Sequence, residues 1–271
     1  MRGLRLGEPA DAADLASFLG RVVALDPSAL TRLRAGGGRV TAYVTLPFGV
    51  LVSRTVTGAA EPVDVTVAAA DLLAALDGSS GTDQSAGGIR ATDRAGPAGG
   101  IGPAGGDGPA SGDGSAGGAG PGGGVGPVAA GVHVGGRGKS VTWPALQDLR
   151  WRVALPPGGG WRLLDQVPGD VVRDLVRAGR EALRAVPAGA AASAGETLLD
   201  HQSLIVTGAG RTAALPLRVL SALTKMGFLG DGDSGGGNAV MVSAAGRWVR
   251  LAGPYGSAYQ HESAGLGLSP R

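Results

Sequence analysis

Between Gly78 and Gly138 the chain loses every periodicity from which a helix or strand could be built. Of these 61 residues 24 are glycine, and Ala, Pro, Ser and Asp make up most of the rest. Such a stretch cannot bury enough apolar surface to offset its ordering entropy. We therefore expect a disordered, flexible linker. A collagen-like triple helix is ruled out, because Gly122-Gly123-Gly124 breaks the strict every-third-residue register. The chain thus divides into a folded segment 1–77, a linker 78–138 and a second folded segment 139–271.

Composition narrows the function classes. Without cysteine there are no disulfides and no thiolate metal sites. Segment 139–271 carries 14 basic and 10 acidic residues, formally +4, while segment 1–77 carries 7 and 8, formally −1. That bias is too mild for a nucleic-acid-binding tail. Basic charge is nearly all Arg, with Lys only at Lys139 and Lys225. No apolar run reaches the length of a membrane span, and no leader peptide is readable after Arg2 and Arg5. A cytoplasmic protein with no membrane contact is the expectation.

In the first segment, the apolar spacing of Leu15, Phe18 and Leu19 predicts a helix over Ala10–Leu19. Pro27 to Leu33 reads as a second short helix, closed by Gly36-Gly37-Gly38. Val40–Leu46 and Val50–Val56 alternate as two strands of a hairpin around Pro47-Phe48-Gly49. A third strand, Val63–Val67, and a helix, Ala68–Leu76, complete this segment. The second starts near Val141. It reads as a strand over Leu149–Leu155, then a helix over Asp170–Val186 with Asp170 as N-cap and an apolar face from Val171 to Val186. A strand Leu204–Thr207, a helix Leu217–Met226 and a meander of Ala239–Ser243, Trp248–Leu251 and Ser257–Gln260 follow. The fold class is α+β. Two small mixed helix and antiparallel-sheet segments dock, since each alone offers few strands and a thin core.

Three motifs invite a catalytic reading, and each lacks its context. Gly232-Asp233-Ser234-Gly235-Gly236 spells the nucleophile loop of chymotrypsin-like proteases. That chemistry needs a His base and an Asp from earlier in the chain, and His133, His201 and His261 are dispersed without that setting. Gly138-Lys139-Ser140 resembles the end of a phosphate-binding loop, but His133 stands where the first Gly is required, and Pro144 interrupts any following helix. Gly208-Ala209-Gly210 follows a strand and precedes a helix, as in dinucleotide-binding units. No second parallel strand with an acidic ribose ligand follows. It reads as a strand–helix turn, with a nucleotide-dependent enzyme as the second alternative. No catalytic residue, cofactor or metal site is assigned.

Arg173, Arg177, Arg180 and Arg184 share one helical face, a pattern that could meet phosphate or an acidic partner, but they sit beside Asp170, Asp174 and Glu181, so a solvated, self-paired surface is the expectation. Helix Leu217–Met226 followed by a hairpin resembles the end of a winged helix, with Arg218, Ser221, Ala222 and Lys225 outward. A DNA-binding regulator is therefore the first alternative, and nucleic acid is a possible but less favoured partner. The leading reading is a non-catalytic binding or scaffold protein with a protein partner. Its expected contact residues are Arg218, Trp248, Arg250 and Tyr255, residue types suited to recognition in a loop-rich end.

Several pieces are similar to an uncharacterised family of proteins from high-GC actinobacteria. They are Leu46-Pro47-Phe48-Gly49-Val50-Leu51-Val52 with Arg54-Thr55-Val56, Asp64-Val65-Thr66-Val67 with Leu72-Leu73, Leu215-Pro216-Leu217-Arg218-Val219-Leu220 with Met226-Gly227-Phe228, and Trp248 through Arg250-Leu251 to Tyr255-Gly256. The resemblance spans both segments and skips the linker. It implies one composite fold and carries no assigned activity.

Overall fold

The computed structural model describes residues 3–78, 138–230 and 238–262. Apart from its two end residues, the linker expected over 78–138 lies outside them. The first segment opens with strand β1 (Gly3–Leu6) and helix α1 (Pro9–Leu25). Asp11 ties down the helix start, accepting from the amides of Glu8 (3.0 Å) and Thr57 (2.8 Å). Ala12, Leu15, Phe18, Leu19 and Val22 recur at helical spacing and form its buried stripe. Strands β2 (Leu30–Gly36), β3 (Arg39–Thr45), β4 (Leu51–Glu61) and β5 (Asp64–Ala68) follow, then helix α2 (Ala69–Gly78).

The expected helix over Pro27–Leu33 is replaced by the start of β2. Thr31 and Leu33 alternate inward and are fully buried. The strand is hydrogen-bonded on both sides, to β3 and β5, and this pairing overrides a weak local helix signal. Gly37 and Gly38 close the β2–β3 hairpin instead of a helix. Both take positive φ, 58° and 73°, as a two-residue type I′ turn requires.

The second segment contains β6 (Ser140–Thr142), β7 (Arg162–Pro168), α3 (Gly169–Arg184), α4 (Ala191–Asp200), β8 (Gln202–Gly208), β9 (Arg211–Pro216), α5 (Leu217–Lys225), β10 (Ala239–Ala245), β11 (Trp248–Gly253) and β12 (Gly256–His261). The strand expected at Leu149–Leu155 is irregular, with a 3-10 turn at Asp148–Arg150. The true strand, β7, lies a few residues on. A bulge against Val242 and Ser243 leaves its inward residues, Leu164 and Val167, three apart, so no alternation marks it in the sequence. In α3 the N-cap is Pro168, and Asp170 sits in the first turn. Gly169, Val172, Val176 and Gly179 are its buried residues, whereas Val171, Ala178 and Ala182 are exposed.

Both segments share one antiparallel sheet in the order β5-β2-β3-β4-β12-β11-β10-β7, with β1 paired to β4 and β6 to β1. The segments therefore dock through strand pairing, at β4 and β12 and at β1 and β6. One row of cross-strand partners, Val67, Thr31, Val44, Val52, Ala258, Leu251 and Val242, runs across seven strands. Every member is buried to within 1%, and helices α1, α2, α3 and α5 complete this side of the core. The other face carries the row Thr66, Arg32, Tyr43, Ser53, Ser257, Ala252, Met241 and Gln166.

That outer face is also covered in its middle. Ser53, Leu51, Ser243 and Tyr259 point away from the helices yet are buried. The cover is the connection 143–161. It bonds to β5 at one edge of the sheet, through the Gln147 amide to the Thr66 carbonyl and the Val67–Leu146 bridge. It enters β7 at the other edge. Its last residue, Trp161, packs on Tyr259 at a ring separation of 6.1 Å. We call this connection the strap.

Candidate binding cleft

The sheet forks along one edge of β4. Leu51–Ser53 pair with β12 and Gly58–Glu61 with β1, so the residues between have no strand partner on that edge. Arg54 occupies the fork. It stands at an inward position between Val52 and Val56, where an unpaired guanidinium would be costly. Its side chain, 14% exposed, bonds the Asp14 carboxylate of α1 and the Tyr255 carbonyl of the β11–β12 turn. Its Cζ lies 5.8 Å from the Tyr255 ring centre. Its Nε is buried without a hydrogen-bond partner.

The opposite wall is the end of α5. There the Gly227 amide donates to the Thr224 carbonyl (3.1 Å) and the Phe228 amide to the Leu223 carbonyl (2.9 Å), the paired bonds of a Schellman cap. Gly227 takes φ +62°, and a Cβ there would stand 2.0 Å from Nη1 of Arg21. The backbone thus favours glycine, and a methyl there would push aside the guanidinium seated against it. Arg21 donates from Nη1 to the Met226 carbonyl. Phe228 fills the floor, stacked on Phe18 at 6.1 Å and 18°. The β11–β12 turn wraps it closely, since a Cβ on Gly256 would stand 2.4 Å from its ring.

The result is a cleft of about 380 Å3 bounded by Asp14, Ser17, Arg21, Arg54, Leu229 and Tyr255 over the Phe18–Phe228 floor. Its side chains carry two guanidiniums against one carboxylate, and Asp14 is engaged by Arg54. Tyr255 is half exposed at the rim. Among the described residues no nucleophile–base pair stands in it, and no three His, Asp or Glu side chains gather as a metal site.

The four residues expected to make contacts are distributed over three places. Tyr255 is at the cleft. Trp248 and Arg250 are on the outer sheet face, in a cluster with Tyr43, Trp161, Tyr259 and His261. There Arg250 lies 4.6 Å over the Trp161 ring and Trp248 meets Tyr259 and His261 edge-on at 6.4 and 4.8 Å. Ser53 and Tyr259 share a hydrogen bond of 3.0 Å beneath. Burial, with the neighbouring Tyr259 acting in the same sense, pushes the Tyr43 phenol up to about 12. At the β5 end of this face, a two-pronged hydrogen bond to Asp64 raises the Arg32 guanidinium above its ordinary value. Arg218 is at the start of α5, bonded to the Phe48 carbonyl (2.9 Å) and the Asp200 carboxylate. Arg21, Arg54 and Asp14 were missed in the sequence. The available signal was an arginine at an inward position of a central strand.

The winged-helix arrangement is not found. Ser221 and Ala222 of the supposed outward face are buried, and Phe48 from the β3–β4 turn lies over the rest, 5.2 Å from the Lys225 ammonium. The glycine motif at Gly208 is a β8–β9 hairpin turn, with Gly208 paired to Arg211, and no helix begins there. Lys139 and Ser140 run in and beside strand β6, and the lysine donates to the Leu76 carbonyl. The Asp233-Ser234 motif lies outside the described residues, as does His133. Of the arginine stripe, Arg177, Arg180 and Arg184 are exposed, while Arg173 turns to the Gly230 carbonyl and to Asn238. No described helix is long and apolar enough to cross a membrane.

Two family models match the chain, both described as domains of unknown function: DUF8010 over residues 1–95 and DUF8185 over residues 156–265. The cleft lies at the seam of these two regions. No curated protein matches the sequence. Among solved structures, the chain is similar to the DNA polymerase sliding clamp from Caulobacter crescentus. The identity is 12%, coverage is 100% of this chain and 69% of that one, and the TM-score is 0.46. It is similar too to the DNA polymerase III subunit beta from Pseudomonas aeruginosa, at 12% identity, 100% and 68% coverage and a TM-score of 0.45.

Proposed function

We propose that this protein is a non-catalytic, cytoplasmic binding or scaffold protein that engages a protein partner at the fork of its sheet. The observation that carries this reading is a preorganised concavity whose polar groups are held by backbone and whose rim presents a half-exposed tyrosine. Rigid aromatic and arginine side chains lose little conformational freedom when a partner arrives, and they dominate binding energy at interfaces. The residues that bear the actinobacterial family resemblance, Arg54, Met226-Gly227-Phe228 and Tyr255-Gly256, converge on this cleft, which supports a shared use of it. Trp248 and Arg250 enter the reading as supports of the strap, and Arg218 as the clasp between α5 and the β3–β4 turn.

The test is site-specific photocrosslinking in cells. A benzophenone amino acid replacing Tyr255 should give a discrete protein adduct, and the same probe replacing the exposed Arg180 should not. Identical adducts at both positions, or none at Tyr255, would refute the reading.

A further inference from the structure

Resting on that reading of the cleft, we infer that the group received there is a carboxylate of an acidic peptide segment, and that Arg21 is the residue that anchors it. Three observations converge. First, Arg21 is exposed and has no carboxylate partner among the described residues. A guanidinium has five donors, and its described bond goes to the Met226 carbonyl. Second, the group is positioned. The glycine at 227 lets it lie flat against the backbone, and the carbonyl fixes one edge. Arg21 lines the cleft, and the donors that the Met226 carbonyl does not take belong to a planar fork, the geometry that grips a carboxylate with two parallel hydrogen bonds. Third, the electrostatics select a negative group. Asp14 is matched by Arg54, which among the described residues leaves one uncompensated positive charge within the concavity. A partner's lysine or arginine would raise that to two like charges over a short distance, whereas an aspartate or glutamate neutralises it.

The volume, about 380 Å3, admits a side chain or two and excludes a folded element. The Tyr255 ring at the rim gives a surface against which the peptide backbone or an adjacent apolar side chain can lie. Arg21 has the stronger claim than Arg54, because Arg54 is mostly buried and already bonded to Asp14 and the Tyr255 carbonyl.

The experiment uses the full chain, with arginine side-chain Nε–Hε signals followed by NMR. The probes are acetylated, amidated tetraglutamate, the matching tetraglutamine, and inorganic phosphate. Tetraglutamate should shift the Arg21 signal saturably, and tetraglutamine should not. The Arg21→Gln variant should bind the acidic peptide at least about tenfold more weakly, with Arg21→Lys between the two. Binding should weaken as salt rises from about 50 to about 500 mM. Equal shifts with both peptides would refute the inference. So would equal or tighter binding of phosphate, which would make this a site for free anions. If Arg21→Gln fails to fold, the peptide comparison on the unaltered chain and on Arg21→Lys decides. A Tyr255 photoadduct that persists undiminished in Arg21→Gln would sink the carboxylate anchor and leave the binding reading standing. A negative photocrosslink beside a positive titration would do the reverse.

Discussion

Two clusters in this protein are built from the same residue types, arginine beside aromatic rings, and they end in different states. On the outer sheet face, Arg250 lies beneath Trp161 and beside Tyr259, inside a layer that the strap closes. At the fork, Arg54 packs on Tyr255 in a cleft that Arg21 also lines, and the ring stays half exposed. Composition does not separate these cases. What separates them, among the described residues, is whether another stretch of chain covers the cluster. The strap does so on one face. At the other place, the gap between β12 and β1 leaves the sheet open.

The sharpest way to break this comparison is to remove each cluster's anchoring ring. Phe228 is buried and supports the cleft floor. Phe228→Ala should cost about 3–5 kcal/mol in urea-induced unfolding, the range for losing a buried phenyl group. It should also abolish the Tyr255 photoadduct. Next in size, Gly227→Ala should cost about 1–3 kcal/mol, since the residue would be held in the left-handed region and its methyl would displace Arg21. Trp161→Ala is partly solvated already and should cost about 1–2 kcal/mol through lost area and the lost contact with Arg250. If Trp161→Ala abolishes the photoadduct while Phe228→Ala spares it, the two clusters have been assigned the wrong way round.

A pH experiment sharpens the same contrast. The Tyr43 phenol ionises near 12 in the folded chain, because burial disfavours the phenolate. An unfolded tyrosine ionises near about 10. Above that value the unfolded chain sheds a proton that the folded chain keeps. Stability from this group is therefore complete below pH about 10 and is lost as pH rises towards about 12. Tyr43→Phe should remove the latest phase of the phenolate absorbance titration and flatten the fall of stability over that window. If Tyr43→Phe instead removes absorbance near pH about 10 and leaves the latest phase intact, burial does not hold this phenol in its neutral form.

Much of the fold was legible because the signals were local. Helix α1, the β3–β4 hairpin, β5 with α2, helix α5 and the β10–β12 meander all carry unbroken periodicity. The failures have physical causes. The start of β2 resembled a helix because Pro27 and the Leu30–Leu33 spacing favour one locally, and only pairing on both sides makes it a strand. The bulge hid β7. β1 and β6 are three or four residues long and exist through each other and β4, which no local pattern reports. Helix α4 has no fully buried residue, and Leu198 is its one residue packed against the core, so the sequence signal is short. Of the site, Tyr255 was visible as an aromatic in a glycine turn. Arg54 was hidden by its apolar neighbours, and Arg21 acquires meaning only when Gly227, 206 positions later, comes to lie against it.

The smallest expected effect concerns the arginines that drew most attention in the sequence. Arg177 on α3 is exposed, 2.9 Å from Asp174 and 4.0 Å from Glu181 on its own helix. Both partners are solvated, so water and salt screen the attraction, and holding the long side chains costs entropy. Arg177→Ala should change stability by no more than about 0.5 kcal/mol and leave the Tyr255 photoadduct intact. An arginine matched by its own helix neighbours has little left to offer a partner, whereas Arg21, with no carboxylate partner among the described residues, does. If Arg177→Ala weakened the photoadduct as much as Arg21→Gln, charge summed over this surface, and not the geometry of the fork, would govern binding.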